Sequence, residues 1–491
     1  MVPPSRSPHR PHGRRSPALP ERANILLVGG GGREHAIAWK LAQSPRLGKL
    51  WLTHPGNGGL APLGDPCPPE VDLRDVFRMQ RWCDRERIDL VVVGPEGPLA
   101  EGITDALATD SRLVFGPTRD AARIEADKSF AKQLMRQAAI PTAEARVFTD
   151  AASARVYLEA HDEPCVVKAA GLAAGKGVFV CETPDEALDA VERMLVRREF
   201  GEAGAIILIE EKLTGQEVSV LALVAGRSIW VLDPCQDHKP VGEGDTGPNT
   251  GGMGAYCPAR VLDQPMLQTI QREIIVPAVD ALRRDGIEYR GVLYAGLMIT
   301  AAGPKVLEFN CRFGDPECQA LMARFQGDLL EVLWATSAPG KPGRPGSLDE
   351  VGLAFDPRTA CCVVMCSAGY PGHYETGKVI TGIEQAEALP GPGQQVIVFH
   401  AGTTRNEAGE LVTSGGRVLG VTALAEDLRA ARDLANAACG RIHFDGAFHR
   451  RDIGSRALSE ASRLTASTTI RAAAPISSSV VSRERPNRID P

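Results

Sequence analysis

The stretch that decides the fold reads VLEFNCRFGDPE and runs from Val306 to Glu317. It begins as a short apolar strand and ends in a charged, glycine-containing turn. Side chains alternate between the two faces of a strand, so Val306, Glu308 and Asn310 are expected on one face. Carboxylate and amide oxygens suit Mg²⁺, which completes its shell with phosphates and water. The pattern therefore predicts a metal site at Glu308 and Asn310.

Arg312 follows this strand directly. Its planar guanidinium can hold a transferring phosphate or a substrate carboxylate through two parallel hydrogen bonds. The alternative is a half-exposed edge strand that carries ordinary polar residues. The segment alone indicates a metal beside phosphates.

A glycine-rich turn lies earlier in the chain, in the sequence VKAAGLAAGKGV at 167 to 178. Its glycines let backbone N–H groups approach an anion. It is not a Walker-type loop, because Gly177 follows Lys176 where Ser or Thr is required. A glycine hairpin without a ligand remains the alternative. Lys168 ends an apolar run and would be costly to bury without an anionic partner, while Lys128 is either a second phosphate contact or a surface charge.

The sequence ILIEEKLTGQEVSV at 207 to 220 is a weaker candidate. Glu210 to Leu213 could present backbone groups to an adenine edge, and Glu217 could accept hydrogen bonds from ribose hydroxyls. A solvated connection between two strands explains the same residues.

The sequence QDHKPVGEGDTGPNTGGMGAY at 236 to 256 is long for a connection and rich in Gly, Asp, Asn and Thr. Loops of this kind commonly bind ligands. Disorder is the alternative, but Met253 and Tyr256 beside the glycines favour an ordered, packed loop.

The amino-terminal sequence GGGGREHA at 29 to 36 follows an apolar strand and opens a helix. A dinucleotide site would require an acidic residue at the end of the next strand, where this chain has Thr53 and His54. We therefore reject that interpretation. A phosphate at the helix start, facing Gly31, Gly32 and Arg33, fits the pattern.

Alternating strand and helix signals predict a multidomain chain of α/β and α+β class. We expect an amino-terminal doubly wound parallel-sheet domain at 23–123, central domains at 124–345 with a small lid at about 142–214, and a carboxy-terminal α+β domain at 346–456. The Pro- and Gly-rich run 338–346 predicts a linker. Low-complexity composition predicts disorder at 1–22 and 463–491.

The amino-acid composition excludes some classes of partner and favours others. Of 491 residues, 43% are hydrophobic and 24% are charged, and the net charge is −6. That balance argues against nucleic acid as a partner and favours a small anionic substrate bound by local cations. There is no apolar run long enough to span a membrane. The 12 cysteines lack disulfide or metal spacing, so we expect reduced thiols, core positions for Cys361, Cys362 and Cys366, and a cytoplasmic protein.

Nine motifs in a fixed order carry a family resemblance over about residues 24 to 455: GGREHA, PGNGG, VGPEGPL, GLAAGKGV, QDHK, DTGPNTGGMGAY, EFNCRFGDPE, HAGT and GGRVLGVTA. Together they resemble the glycinamide ribonucleotide synthetases, which are phosphoribosylamine-glycine ligases with the ATP-grasp fold. RFGDPE and the GPNTGGMGAY loop are specific to that family, whereas other ATP-grasp enzymes share the glycine turns.

The resemblance implies a reaction and a set of roles. Glycine attacks the γ-phosphate of ATP to give glycyl phosphate and ADP, and the amine of 5-phosphoribosylamine then displaces phosphate, in de novo purine synthesis. We expect a monomer that acts on these small molecules. By the family pattern the metal, Mg²⁺ or Mn²⁺, binds Glu308 and Asn310, and Arg312 and Asp315 are catalytic. ATP would contact Lys128, Lys168, Gly171, Gly175, Lys176, Gly177, Glu210, Leu213 and Glu217. The other substrates would contact Gly31, Gly32, Arg33, Asn57, Glu96, Asp237, Lys239, Asp245, Asn249, Thr250 and Gly251.

The sequence departs from the family pattern at three places: Gly30 replaces a usual Asn, GPEGPL replaces GPEAPL, and Ser455 replaces a usual Trp. None of these touches the metal motif. Many ATP-grasp relatives also carry an acid on the strand before the metal carboxylate, but residues 291 to 300 contain none. That strand therefore offers no carboxylate for a second metal site.

Two rival functions remain. The first is an ATP-grasp ligase or carboxylase that acts on bicarbonate or formate, but no biotin-carrier or carboxylase-type companion sequence is present. The second is a silent nucleotide-binding or scaffold protein, which predicts the loss of Glu308, Asn310 or Lys168. All three are present.

Overall fold

The computed structural model describes residues 18–69, 71–173, 176–338 and 347–459. The predicted tail 463–491, most of the extension 1–22 and most of the linker 338–346 lie outside those residues. The described residues up to Gly454 form one compact unit, and Ser455 begins a second. The described residues of that second unit, 455 to 459, are helical. The domain boundaries drawn from the sequence stay predictions.

The amino-terminal region is a parallel sheet with strand order β3-β2-β1-β4-β5. Its strands are β1 Ala23–Val28, β2 Leu47–Leu52, β3 Asp65–Pro66, β4 Leu90–Val93 and β5 Leu113–Phe115. Its helices are α1 Gly32–Leu41, α2 Val76–Arg85, α3 Glu96–Glu101, α4 Ile103–Leu107 and α5 Arg119–Ala126. The run LVVV in β4 is buried throughout, as expected for a parallel strand covered on both faces. The predicted doubly wound sheet is confirmed.

Helix α1 starts where the glycine turn ends. The Gly31 N–H donates to Glu34 Oε2 at 2.6 Å, which satisfies a donor that the helix itself cannot pair. Glu34 also binds the Arg33 guanidinium, Nε to Oε1 at 2.7 Å. The first turn of α1 is therefore fixed by its own side chains.

Helix α6, Lys128–Gln137, leads into a small antiparallel sheet with order β6-β9-β7-β8. We call residues 145–211 the lid; its strands are β6 Ala145–Phe148, β7 Cys165–Ala169, β8 Val178–Cys181 and β9 Ile207–Glu211. Two helices, α7 Ala151–Glu159 and α8 Pro184–Val191, cover one face around a core that includes Val167 and Ile209. The glycine turn lies between β7 and β8.

Residues 216 to 310 supply the central sheet, which has the order β11-β10-β16-β17. The strands of this segment are β10 Gln216–Ala225, β11 Ser228–Val231, β12 Gln236–Asp237, β13 Pro240–Gly242, β14 Thr246–Asn249, β15 Gly254–Cys257, β16 Arg290–Thr300 and β17 Gly303–Asn310. Helices α9 Gln264–Ile270 and α10 Val276–Arg284 lie between β15 and β16, and α11 Glu317–Arg324 and α12 Leu329–Ser337 follow β17. This sheet is the one predicted to carry the metal motif.

Strand β17 contains a bulge that the alternation rule did not foresee. Glu308 pairs with Gly296 and Val306 pairs with Leu297, so Leu307 is an extra residue. Neighbouring positions on β16 face opposite sides, so Val306 does not share a face with Glu308. That part of the prediction is wrong, whereas Glu308 and Asn310, both beyond the bulge, do share a face.

The carboxy-terminal sheet draws strands from two distant parts of the chain, in the order β12-β15-β20-β24-β21. The remaining elements are β18 Phe325–Gln326, β19 Ala354–Phe355, β20 Thr359–Cys366, α13 Ile383–Glu387, β21 Gln395–His400, β22 Thr403–Arg405, β23 Leu411–Thr413, β24 Arg417–Ala425 and α14 Leu428–Cys439. Strands β12 and β15 belong to the long loop 236–256. That loop is therefore part of the carboxy-terminal sheet, in which β15 pairs with β20.

Buried side chains confirm two predictions about that sheet. Met253 and Tyr256 are fully buried, as expected for an ordered loop. Cys361, Cys362 and Cys366 are also fully buried on β20 and fill the core. All 12 cysteines are free thiols.

Candidate active site

The predicted metal pair lies at the carboxyl end of β17. The Glu308 side chain is 32% exposed, and Asn310 is 9% exposed. Gly296 lies opposite Glu308, and a Cβ at that position would stand 3.4 Å from Glu308 Cγ. The described residues contain no cluster of three His, Cys, Asp or Glu that could hold a metal alone. One carboxylate and one amide fit an ion that takes its other ligands from a substrate.

Cations surround Glu308. Burial tends to raise the pKa of Glu308, but Lys239, Lys168 and Lys128 lower it below its ordinary value. The carboxylate is therefore ionised and available to a metal at neutral pH. The same lysines make the space beside it suitable for a polyphosphate.

Lys168 lies near the end of β7, as predicted. The carboxylate of Glu210 is the anionic partner that its burial requires. Its Nζ lies 2.9 Å from Glu210 Oε2 and donates to the Leu307 carbonyl at 3.2 Å. Lys128, at the first position of α6, donates to the Gly171 carbonyl at 3.3 Å. Both lysines thus connect the lid to neighbouring segments of the site.

Glu210 plays a part that the sequence did not suggest. Its side chain is 3% exposed and binds two lysines, Lys168 and Lys132, the latter with Nζ to Oε1 at 3.2 Å. The predicted adenine contact concerned backbone groups near Glu210 and Leu213, and it stays a prediction. Lys132 is a residue that sequence reasoning missed, although it lies four positions after Lys128 on the same helix face.

Glu217 and Lys239 meet beside the metal pair. Lys239 Nζ lies 3.2 Å from Glu217 Oε2 and 3.7 Å from Glu308 Oε1. Glu217 raises the pKa of Lys239 well above its ordinary value, against the opposing effect of burial. A fixed positive charge therefore lies between the two carboxylates.

The other predicted lid residues frame the glycine turn. The Gly171 N–H donates to the Ala203 carbonyl at 3.0 Å, and the Ala169 N–H donates to the Gly177 carbonyl at 2.8 Å. Lys176 is exposed. Gly175 lies outside the described residues, so its predicted role stays a prediction.

Arg312 is already paired. Its Nε lies 3.2 Å from Glu96 Oε2, and its Nη2 lies 3.1 Å from Glu125 Oε1. Burial tends to lower the pKa of Arg312, but Glu125 and Glu96 raise it. Arg312 therefore ties helices α3 and α5 to the segment after β17, and a substrate anion would compete with two carboxylates for it. Glu125 was not foreseen from the sequence.

Asp315 connects the amino-terminal glycine turn to the same segment. Its Oδ2 accepts from the Arg33 N–H at 3.3 Å, and its Oδ1 accepts from Gln319 Nε2 at 2.8 Å. Burial tends to raise the pKa of Asp315, but Arg417 and Arg33 lower it. The Arg33 guanidinium itself binds Glu34 and the Phe313 carbonyl, so its side chain is buried in the junction.

Arg417 is another residue that sequence reasoning missed, although its motif GGRVLG carried part of the resemblance. Its Nη1 donates to the carbonyls of Gly251 at 2.6 Å and Asp315 at 2.7 Å. The Gly251 N–H donates to the Tyr370 hydroxyl at 3.2 Å. Arg417, the first residue of β24, thus holds the predicted substrate loop against Asp315, and Tyr370, in the turn after β20, contacts the same loop.

The loop approaches Asp315 closely because Gly252 has no side chain. Its φ is +115°, and a Cβ there would stand 2.6 Å from Pro316 Cδ and 2.8 Å from Asp237 Oδ1. Thr250 is anchored through its N–H to the Lys239 carbonyl at 2.8 Å. Burial and the nearby Glu317 raise the pKa of Asp237 well above its ordinary value.

Three of the predicted substrate residues, Asn57, Asp245 and Asn249, lie apart from the contacts described above. Asn57 donates to the Gly30 and His400 carbonyls at 2.8 and 2.9 Å, and its Oδ1 accepts from the Gly59 N–H at 2.8 Å. Its amide therefore joins the PGNGG turn to β21.

Asp245 pairs with the buried Arg450 at 3.1 Å, and Asn249 is exposed on β14. Arg450 also donates to the Pro240 carbonyl at 2.9 Å. These contacts anchor the outer part of the loop.

Comparison with known proteins assigns this geometry to a family. Family models of phosphoribosylglycinamide synthetase match the chain in three parts, the N domain over residues 23–125, the ATP-grasp (A) domain over 126–318 and the C domain over 360–456. A phosphoribosylamine–glycine ligase of Rhodopirellula baltica is 50% identical over 442 residues, which cover 89% of this chain and 98% of the relative. The chain belongs to the phosphoribosylglycinamide synthetase family. The family resemblance inferred from the motifs is confirmed.

Other relatives support the same family assignment. A phosphoribosylamine–glycine ligase of Nostoc sp. is 49% identical and covers 88% of this chain and 99% of the relative. The trifunctional purine biosynthetic protein adenosine-3 of Homo sapiens is 45% identical over 89% of this chain, but the match covers only 42% of that longer protein.

Solved structures support the fold. The crystal structure of phosphoribosylamine–glycine ligase from Thermotoga maritima matches with a TM-score of 0.73 at 30% identity, over 88% of this chain and 100% of that one. A biotin carboxylase from Campylobacter jejuni matches with a TM-score of 0.65 at 15% identity, over 87% of this chain and 93% of that chain, which shows a shared fold alone. The match to the ATP-grasp (A) domain model and the relatives named as ligases show that the chain is an ATP-grasp ligase. Divalent metal is typical of such enzymes. In the part of the chain that the structure describes, no helix is long and apolar enough to cross a membrane.

Proposed function

We propose that the chain ligates glycine to 5-phosphoribosylamine at the expense of ATP and forms glycinamide ribonucleotide, ADP and phosphate in purine biosynthesis. The intermediate is glycyl phosphate. Glycine's carboxylate oxygen attacks the γ-phosphorus as ADP leaves, and the amine then attacks the acyl carbon, loses a proton and releases phosphate. Free thiols at all 12 cysteines are consistent with a cytoplasmic protein.

The nucleotide binds between the lid and the central sheet in this proposal. Lys128 and Lys168 hold its phosphates, with backbone groups of the glycine turn around Gly171, Lys176 and Gly177. Backbone groups near Glu210 and Leu213 receive the adenine, and Glu217 receives the ribose. The lowered pKa of Glu308 beside Lys168 and Lys128 supports a phosphate-binding space there.

Glu308 and Asn310 would hold one Mg²⁺ or Mn²⁺. Such an ion neutralises charge on a transferring phosphoryl group and can contribute several kcal/mol of transition-state stabilisation. The shared face of the two side chains and the ionised state of Glu308 support this assignment. Lys239 adds a positive charge fixed between Glu308 and Glu217.

Glycine and its acyl phosphate lie along the loop 245–251 and the turn 312–315 in this proposal. Arg312, Asp315, Asp237 and Lys239 line that region, and the amino-terminal turn at Gly31 and Gly32 receives the ribose phosphate. The loop's attachment to Asp315 through Arg417 supports a shared pocket, because it brings both segments within hydrogen-bonding distance of one side chain. Catalysis of this kind is mainly positioning and charge neutralisation.

The single observation that carries the proposal is the position of Glu308. It shares a face with Asn310, and it lies among Lys239, Lys168 and Lys128. An ionised, partly exposed carboxylate can bind a metal, and the lysines beside it can bind a polyphosphate.

ADP release measured with each substrate omitted in turn tests the proposal. We expect release to require both glycine and ATP and to reach its full rate with 5-phosphoribosylamine. Bicarbonate and formate, substrates suited to the rival ATP-grasp function, should not replace glycine. ADP release that is independent of glycine, or supported equally by bicarbonate, would overturn the proposal.

A further inference from the structure

A buried chain of charges runs from helix α6 to the metal-bearing strand. Lys132, Glu210 and Lys168 have side chains that are 7%, 3% and 8% exposed. Glu210 binds Lys132 through one carboxylate oxygen, at 3.2 Å, and Lys168 through the other, at 2.9 Å. Lys168 then donates to the Leu307 carbonyl at the bulge of β17, at 3.2 Å. One carboxylate is therefore shared between two lysines, of which only Lys168 has a proposed role with ATP.

Lys132 is held in place by the segment that joins α6 to the lid. Its Nζ donates to the Thr142 hydroxyl at 2.8 Å and to the Ala143 carbonyl at 3.0 Å. Thr142 in turn donates to the Val306 carbonyl at 2.6 Å. Lys132 Nζ therefore has three oxygen partners, on Thr142, Ala143 and Glu210. Lys168, by contrast, lies one residue before the end of β7, beside the glycine turn.

The negative charge of Glu210 determines whether Lys168 can leave it. A buried carboxylate that loses its partner is strongly destabilised, because the interior cannot solvate it. If Lys168 were Glu210's only partner, turning the ammonium toward a phosphate would leave Glu210 uncompensated. With Lys132 present, Glu210 keeps one cation whatever Lys168 does. Burial lowers the pKa of Lys132 to about 8, so it is still mostly charged at neutral pH.

We propose that Lys132 is a positioning residue for the nucleotide: it holds Glu210, so that Lys168 is free to bind the phosphates of ATP. The inference rests on the proposed role of Lys168 at those phosphates. Lys132 does not touch ATP in this account. It sets how strongly Glu210 competes with the phosphates for Lys168.

ATP affinity in a double-mutant cycle tests this inference, with the full chain and Mg²⁺ present and glycine absent. Calorimetric titration with a non-hydrolysable ATP analogue gives the dissociation constant. We expect Lys132→Gln, which keeps a hydrogen-bond donor for Thr142 but removes the charge, to weaken binding by about tenfold or more. Lys132→Arg should lie closer to the wild type. The double variant Lys132→Gln with Glu210→Gln should bind within about threefold of Glu210→Gln alone, because no carboxylate then competes for Lys168.

A neighbouring ion pair supplies the matched control. Lys305 Nζ lies 2.7 Å from Glu211 Oε1, next in sequence to Glu210 but on a more exposed surface. Lys305→Gln removes a lysine of the same strand junction without touching Glu210, and it should leave ATP affinity unchanged. Thermal unfolding of every variant shows that it is folded.

The outcomes separate three accounts. Wild-type affinity in Lys132→Gln would overturn the inference. Weak binding in that variant that Glu210→Gln does not relieve would also overturn it, since Lys132 would then act only through its contacts with Thr142 and Ala143. Failure of the wild-type chain to bind the analogue would instead overturn the proposed function.

Discussion

Lys239 Nζ lies 3.7 Å from Glu308 Oε1, so the proposed metal carboxylate has an ammonium group beside it. Glu217 binds the same ammonium at 3.2 Å. A divalent ion at Glu308 would therefore be repelled by Lys239, and the two carboxylates are kept from acting as a joint acidic site. Gly296 lies opposite Glu308 on β16 and contributes no side chain to this site.

Lys239→Met should tighten Mn²⁺ binding and slow turnover. The substitution removes the repelling charge and leaves Glu217 and Glu308 facing each other, which favours a divalent ion. The same change removes a cation from the proposed acyl phosphate region. Electron paramagnetic resonance titration with Mn²⁺ and steady-state ADP release measure the two effects. Weaker Mn²⁺ binding would contradict the proposed placement of the metal.

Glu308→Ala should lower turnover by about 100-fold or more and leave the fold intact, as the loss of a major electrostatic group does. ADP release and thermal unfolding are the measurements. The control is Glu211→Ala, which removes a carboxylate that pairs with Lys305 on the lid's surface. Near-normal ADP release from Glu308→Ala would refute the metal assignment.

Arg417→Lys should raise the Michaelis constant for glycine by about tenfold or more and leave that for ATP nearly unchanged. Nη1 donates to the carbonyls of Gly251 and Asp315, and a lysine cannot reproduce that arrangement with the same geometry. The loss of hydrogen bonds to a charged donor costs roughly 1.5 to 3 kcal/mol.

Tyr370→Phe provides a graded comparison for Arg417→Lys. It removes one acceptor of the Gly251 N–H without removing a charge, and should shift the glycine constant less. Equal losses for glycine and ATP in Arg417→Lys would argue against a specific effect on the substrate loop.

Much of this fold follows from local patterns. The apolar runs LVVV and LVF are buried strands, because short apolar segments between helical signals have few other stable positions. Met253 and Tyr256 predicted an ordered loop because large side chains beside glycines need a core to pack against. Lys168 predicted an anionic partner, because an ammonium at the end of an apolar strand is costly to bury alone.

Long-range pairings were harder to predict. The bulge at Leu307 depends on the register between β16 and β17, which strand alternation within β17 does not contain. Strands β12 and β15 join a sheet whose other strands begin about one hundred residues later, so no local signal marks them. Arg417 and Lys132 act through backbone carbonyls and a shared carboxylate, and those partners come together only in the folded chain.

Acid should destabilise the junction between α1 and β21. Burial lowers the pKa of His35 to about 3 and that of His400 to about 4. The backbone N–H of His400 donates to His35 Nδ1 at 2.7 Å. Between pH 6.5 and 4 the unfolded chain binds protons at both histidines while the folded chain does not, so stability falls as the pH falls through that window. Each histidine contributes a slope of roughly 1.4 kcal/mol per pH unit.

Urea unfolding at pH 7, 6 and 5 measures this slope. His35→Asn should reduce the pH dependence, while the exposed His373→Asn serves as the control and should not. A pH dependence that is identical in all three proteins would contradict the assignment to the buried pair.

The transfer of oxygen from glycine to phosphate tests the central claim most directly. Glycine labelled with ¹⁸O in its carboxylate is supplied with ATP, Mg²⁺ and 5-phosphoribosylamine, and the released phosphate is examined by mass spectrometry. If the glycine carboxylate attacks the γ-phosphate in this site, each phosphate carries one ¹⁸O atom. Product formation with unlabelled phosphate would contradict a glycyl phosphate intermediate.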